Sequence, residues 1–382
     1  MQIYTPSTPG IHEIRVQTVR IPRRRDGGSG ITYIQGFISF GYVVRMHEAR
    51  LYEKLEGGTV HCSLCPHRCT IREGKQGVCG VRINRGGTLY AATYGKISAE
   101  AVDPIEKKPL FHFLPGSLCY SLGTIGCNFH CSHCQNWHIS QATLEQQMLR
   151  DLAPEEGVRR AVETGSASIS WTYNEPTIWH EYPLAMGSLA RQQGLGTVYV
   201  TNGYITEEGL REVAGMLNAF RVDIKAFSDT FYKKVCGGKL EPVLDATILA
   251  HELGLHVETV TLVIPGLNDS IEEMDSLIRW VLEHLGPDTP MHFTRFHPDY
   301  KMQDKGPTSV AQLEKIYEHA KSLGMHYPYL GNVMNHPYEN TYCPECGAVA
   351  IERTGFATRV VGVEDHRCTA CGGSITYVSK ID

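Results

Sequence analysis

Three cysteines, Cys127, Cys131 and Cys134, fall in the run GTIGCNFHCSHCQNWHIS with the spacing CxxxCxxC. Three thiolates hold three corners of a [4Fe-4S] cube, whereas a cube that only carries electrons takes four cysteines, so one iron is left open to a substrate or cofactor. An open iron means chemistry at the cluster. A zinc knuckle is the competing reading, and it fits less well because zinc sites take four ligands in CxxC pairs. The triplet follows SLCYSLGTIG, which reads as a buried strand. Its loop therefore sits at the carboxyl end of a strand, where barrel enzymes build their sites.

Other polar residues gather where strands should end. Asn174 and Glu175 lie in the run from Trp171 to Pro176 that closes the second strand and are placed to accept hydrogen bonds from an ammonium group. Glu175 could equally cap the helix that begins TIWHEY. Thr201 and Asn202 close the next strand, and Asp223 and Lys225 share one face of the strand after it. A lone charge inside a barrel is costly, so that pair is either a structural ion pair or a ligand clamp, and the clamp is the preferred expectation. Gly266, in IPGLND, would let the backbone approach an adenine or ribose closely.

The elements that must position these residues are legible as alternation. Apolar, β-rich runs at 166–176, 195–203, 219–227, 255–269 and 291–300 are separated by amphipathic segments such as TEEGLREVAGML and SIEEMDSLIRWVLEHLG. Continuous apolar strands bounded by such helices mean a parallel sheet covered by helices. With the strand before Cys127 and one near HYPYLGNV the count is six or seven. The expected fold class is α/β, a partial (β/α)6 TIM-like barrel open on one side, over residues 116–335. A doubly wound sheet is the alternative, because periodicity cannot give strand order.

Two further cysteine groups flank the barrel. Cys62, Cys65, Cys69 and Cys79 lie in a small cysteine-rich module over residues 46–115, too small to fold without a staple. Zn²⁺ or a second cluster would supply one, and four reduced buried thiols are the plainer alternative. Over residues 336–382, two CxxCG knuckles, Cys343/Cys346 and Cys368/Cys371, predict a four-cysteine zinc ribbon or a rubredoxin-like iron site with a structural, docking or electron-input role. Cys119 reads as a buried core thiol, and Cys236 lies in a glycine-bearing loop after the fourth strand that could reach the barrel mouth, with a structural or incidental role expected for each. His130, His133 and His297, nearest the triplet, are expected to tune a cluster rather than ligate it.

Composition bounds the function classes. The 382 residues carry a net charge of −5 with no long basic tract beyond Arg23 to Arg25, so a nucleic-acid partner is not expected. The thirteen cysteines fall in groups of metal-ligand spacing, which points to a reducing compartment, the cytoplasm. The apolar run from Gly30 to Val44 follows those arginines as a signal peptide would. It is too short to span a bilayer, contains Gln35 and is followed by Arg45 and His47, so no membrane association is expected. Residues 1–45 are expected to be a peripheral strand or an ill-ordered extension without function, with Met46 an alternative start.

Taken in order, CSLCPHRCTIREGKQGVCGVR, GTIGCNFHCSHCQNWHIS, TYNEPTIW, VTNGY, VDIKAF, TLVIPGLNDS and FHPDYKM, with the terminal knuckles, carry a resemblance. From Cys62 onward the chain resembles the radical S-adenosylmethionine (radical SAM) enzyme of the AmmeMemoRadiSam system, a group similar to pyruvate formate-lyase activating enzymes. The resemblance implies that Cys127, Cys131 and Cys134 hold a [4Fe-4S] cluster whose open iron chelates SAM. One electron then cleaves SAM to methionine and a 5'-deoxyadenosyl radical, which abstracts hydrogen from a substrate that the resemblance does not name. In the superfamily a Gly-Gly-Glu-like motif binds the methionine amino group, and Asn174 and Glu175 hold that position here without the Gly-Gly. Thr201, Asn202, Asp223, Lys225 and Gly266 would orient SAM. An electron donor such as flavodoxin or ferredoxin is implied, with Memo-like and Amme-like proteins as partners. The alternatives are a glycyl-radical activase acting on a protein and a non-catalytic iron-sulfur and zinc protein.

Overall fold

The computed structural model describes residues 46–381 together with the short strand Ile11–His12, which pairs antiparallel with Met46–Glu48. The rest of the expected extension over residues 1–45 lies outside the described residues. One eight-stranded sheet organises the molecule. Strand β1 (Ala99–Pro104) runs antiparallel to β2 (Leu118–Gly123). From β2 the order continues in parallel through β3 (Ser168–Trp171), β4 (Gly196–Thr201), β5 (Ala219–Asp223), β6 (His256–Val263), β7 (Met291–Arg295) and β8 (Pro328–Gly331). Neighbours in the sheet are neighbours in the chain, with no reversal of order. A doubly wound sheet needs such a reversal, so the expected partial barrel is the observed architecture. Among the described residues β8 and β1 do not pair, which leaves the sheet open on one side.

Burial explains the strand pattern. All four residues of β3 are buried, and β4 and β5 expose little, because helices cover the outer face and side chains fill the inner one. The covering helices are α1 (Pro154–Glu163), α2 (Glu181–Gln192), α3 (Glu207–Ala214), α4 (Glu241–Glu252), α5 (Ile271–His284) and α6 (Val310–Ser322). Three of them begin on a hydroxyl cap: Thr206 accepts from the Gly209 amide, Ser270 from Glu273 and Ser309 from Gln312. Trp171, Tyr182, Tyr199 and Phe220 lie in the core between sheet and helices.

The cysteine-rich segment has its own small core around Val60, Leu64, Ile71 and Leu89. It is fastened to the barrel by the buried ion pair of Arg82 with Glu181 at 3.0 Å, by Thr206 donating to the Ser63 carbonyl at 2.8 Å, and by His67 Nε2, 2.7 Å from the Asn128 carbonyl. The carboxyl-terminal segment, with strands Thr341–Tyr342, Val349–Thr354 and Ala357–Val360, covers the opposite end. Arg353 is buried there, donates to the Phe111 carbonyl at 2.6 Å and lies over the Phe111 ring at 4.1 Å. The Ile381 side chain reaches Gly196 at the start of β4. This segment therefore closes the amino ends of the strands. No described helix is long and apolar enough to cross a membrane.

Candidate functional site

At the carboxyl ends of the strands lies a cavity of about 560 Å³ into which Cys127, Cys131 and Cys134 all open. The loop after β2 carries them, and its path is fixed by Asn174. That side chain accepts from the Thr124 amide at 3.1 Å and donates to the Gly126 carbonyl at 2.9 Å. Around the thiols, the Phe129 amide donates to Cys127 Sγ at 3.3 Å, Asn202 Nδ2 lies 3.7 Å from it, and Cys134 Sγ is 3.2 Å from Ser140 Oγ. Burial, with the charge of Glu175 nearby, pushes the Cys127 thiol well above its ordinary range. Hydrogen bonding with Cys236 holds Cys131 below it.

Glu175, 1 % exposed, lines the same cavity. One carboxylate oxygen accepts from the Thr177 amide at 2.9 Å and Thr201 Oγ1 at 2.7 Å, and the other from the Asn202 amide at 2.8 Å. The first of these bonds caps the short 3-10 turn Pro176–Trp179. Burial raises the Glu175 pKa against these donors. Asn202 in turn donates to Asn128 Oδ1 at 2.8 Å, so Glu175, Thr201 and Asn202 form one hydrogen-bonded unit behind the cysteine loop.

Asp223 and Lys225 also line the cavity, 3.4 Å apart. A third member, Arg221, was missed by the sequence reading and bonds Asp223 at 2.7 Å through Nη1. The signal was present, since residues 221, 223 and 225 share a face by the strand period. Desolvation opposes the Asp223 charge, yet Arg221 and Lys225 together hold its carboxyl below the ordinary range. His133 faces the cavity with its Nδ1 buried and unpartnered, and burial with Lys225 nearby pushes its pKa down to about 3, leaving a neutral ring. Lys107 and Lys108 complete one wall, sharing Asp103 at 2.8 and 2.6 Å, and Tyr173 donates to the same carboxylate at 2.7 Å. No local pattern marks that wall, because β1 brings it in from outside the barrel repeat. Gly266 is exposed in the turn after β6 and is not among the residues lining the cavity.

The two outer cysteine groups are separate. Cys343 and Cys371 thiols lie 3.6 Å apart and Cys346 and Cys368 thiols 3.7 Å apart, with all four within 4.8 Å of one another. One ion with metal–sulfur bonds of about 2.3 Å requires edges of about 3.8 Å, so these four could hold a metal. Cys62, Cys65, Cys69 and Cys79 line a small cavity of their own beside the cysteine loop.

Comparison with known proteins gives the family. Residues 122–281 match the radical SAM superfamily. A protein of Methanocaldococcus jannaschii, itself uncharacterized, is 46% identical over 335 residues, covering 87% of this chain and 100% of its own length. The pyruvate formate-lyase-activating enzyme of Clostridium pasteurianum is 21% identical over 217 residues, covering 52% of this chain and 88% of the enzyme. Among solved structures, a radical SAM methyltransferase from Sphaerobacter thermophilus aligns over 80% of this chain and 81% of its own, at 15% identity and a TM-score of 0.46. The chain belongs to the radical SAM superfamily. Membership implies a [4Fe-4S] cluster and SAM, and superfamily enzymes generally need an electron donor.

Proposed function

We propose that this protein is a radical SAM enzyme in which Cys127, Cys131 and Cys134 hold a [4Fe-4S] cluster with one iron open to SAM. The observation that carries the reading is the convergence of three thiols on one cavity beside the Arg221, Asp223 and Lys225 cluster of charges. The donor set suits a polynuclear cluster. Among the described residues these three thiols do not meet within the 4.8 Å that brings the tail thiols around one ion, and the buried Nδ1 of His133 is free to bond a cluster sulfur. When bound, a reduced cluster would supply the one electron for reductive cleavage of SAM, the chemistry that leads to hydrogen abstraction from a substrate.

The chain's own residues orient and enclose. Asn174 holds the cysteine loop, and Glu175 fixes Thr201 and Asn202, with its remaining lone pair available to an ammonium group. Asp223 and Lys225 form the clamp for SAM. The wall of Lys107 and Lys108 places two cations on one carboxylate and is therefore net positive, which suits an anionic substrate. The four tail thiols form a zinc or iron ribbon. The partners proposed are a flavodoxin or ferredoxin and the Memo-like and Amme-like proteins, in the cytoplasm.

Anaerobically reconstituted protein with dithionite and SAM should form 5'-deoxyadenosine, and Cys127→Ala, Cys131→Ala and Cys134→Ala should each abolish it. Undiminished cleavage in any one removes that residue from the assignment. The likeness to an activating enzyme supports a second reading, a glycyl-radical activase. Deuterium transfer from a labelled glycyl-radical enzyme into 5'-deoxyadenosine would select it.

A further inference from the structure

That reading assigns no role to the amino-terminal cysteines. Cys62 ends the strand Val60–Cys62, Cys65 and Cys69 follow in the next turn, and Cys79 precedes the strand Arg82–Arg85, yet all four line one small cavity. Its other walls are apolar, from Leu64, Ile71, Val78 and Ile178, except for Arg82. Arg82 is 2 % exposed. Its Nη1 and Nη2 bond the Glu181 carboxylate and Nη2 also bonds the Arg50 carbonyl, while its Nε is buried with no partner. A buried N–H without an acceptor carries its full desolvation cost, so an anionic occupant would complete this wall.

Spacing indicates what occupies it. The tail thiols are drawn to within single-ion distance, whereas no three of Cys62, Cys65, Cys69 and Cys79 meet within 4.8 Å among the described residues. The same holds for Cys127, Cys131 and Cys134, which do not meet within that distance either. Thiolates on separate irons of a cluster stand farther apart than thiolates on one ion.

We propose that Cys62, Cys65, Cys69 and Cys79 bind a second iron-sulfur cluster, closed by four thiolates, to which Arg82 Nε donates a hydrogen bond. With every iron ligated by protein, this cluster has no open site and acts by one-electron transfer. Its place fits that role, because the Cys79 carbonyl packs directly on Gly126, the neighbour of Cys127. It takes one electron from an external ferredoxin- or flavodoxin-type donor and gives the same electron to the centre at the triplet. It returns to its oxidised state with no bond made or broken.

The test uses the full chain, reconstituted anaerobically with iron and sulfide. A Cys127→Ala/Cys131→Ala/Cys134→Ala variant should retain about four irons and four sulfides per chain, and on reduction give an electron paramagnetic resonance signal that SAM does not alter. A Cys65→Ala/Cys69→Ala variant should lose half of the cluster iron and keep a SAM-responsive signal. A folded triple variant without sulfide, or zinc at the amino-terminal thiols in place of iron, overturns the proposal. The triple variant requires neither SAM nor the triplet's cluster, so its outcome is independent of the function proposed above. Arg82→Lys keeps a cation for Glu181 but removes Nε; it should lower the midpoint potential of the amino-terminal cluster and leave the other unchanged. An unshifted potential refutes the Arg82 contact.

Discussion

Glu175 shows how a residue can serve a site mainly through bonds made within the protein. Its carboxylate accepts from two amides and a hydroxyl, all buried. In Glu175→Gln the new amide would set a donor against the Thr177 or Asn202 N–H. Unfolding free energy should fall by about 1.5–3 kcal/mol, the worth of hydrogen bonds to a buried charge, and SAM affinity should fall with it as Asn202 loosens. Denaturant titration and SAM titration check the two effects. Unchanged values in both would leave Glu175 a bystander. Lys225→Ala should instead weaken SAM binding while iron content stays normal, since its ammonium pairs with Asp223. At this scale the sequence was most legible where spacing is itself chemistry, as in CxxxCxxC, and where a strand period aligns side chains, as for Asp223 and Lys225. Lys108, Asp103 and Tyr173 were not legible. They meet only because an antiparallel strand returns beside β2, which no local pattern announces.

Elements meet closely where the cysteine loop passes under the amino-terminal segment. Gly126 has φ of +84°, a left-handed conformation that an L side chain adopts only with strain. A Cβ there would sit 2.5 Å from the Cys79 carbonyl oxygen and 2.8 Å from Val81 Cγ1. Gly126→Ala should therefore cost on the order of 1–3 kcal/mol and lower iron retention by pushing the loop off the segment below it. Adding Val81→Ala should not rescue it, because the nearer obstacle is backbone. Rescue measured by thermal melting and iron analysis would refute this contact geometry. The parallel strands and their helices could be read because buried runs and amphipathic segments alternate. The strand β1 could not be read, since Glu100 and Asp103 interrupt it and it lies at an edge with mixed burial.

At the scale of the molecule, two ends of one sheet do different work. The cavity lies at the carboxyl ends of the strands, and the tail seals the amino ends through Arg353, Phe111 and Ile381. In that seal Glu339 is buried with Oε2 unpartnered, and burial pushes its pKa up to about 7 despite Arg353 nearby. A carboxyl whose folded value lies above its unfolded value binds protons more tightly in the fold, so stability is lost as pH rises through this window and the full cost applies above about 7. Glu339→Gln should raise the melting temperature most at pH 8, with the gain vanishing below pH 5. A gain equal at both pH values would refute the assignment. A metal held by the four tail thiols would act at the same end. Cys346→Ser removes one of four ligands, so the metal should be lost and the strands around Arg353 should loosen, exposing Phe111 and Tyr329 beneath them. Hydrogen exchange should quicken at Phe111 to Phe113 and not in the loop from Cys127 to Cys134. SAM cleavage per cluster should hold within about twofold at 25 °C, because stability lost at the amino ends reaches the cavity only by global unfolding. Cleavage abolished in a variant that stays folded and keeps its cluster would show instead that the tail delivers electrons, and the division of labour between the two ends would fall.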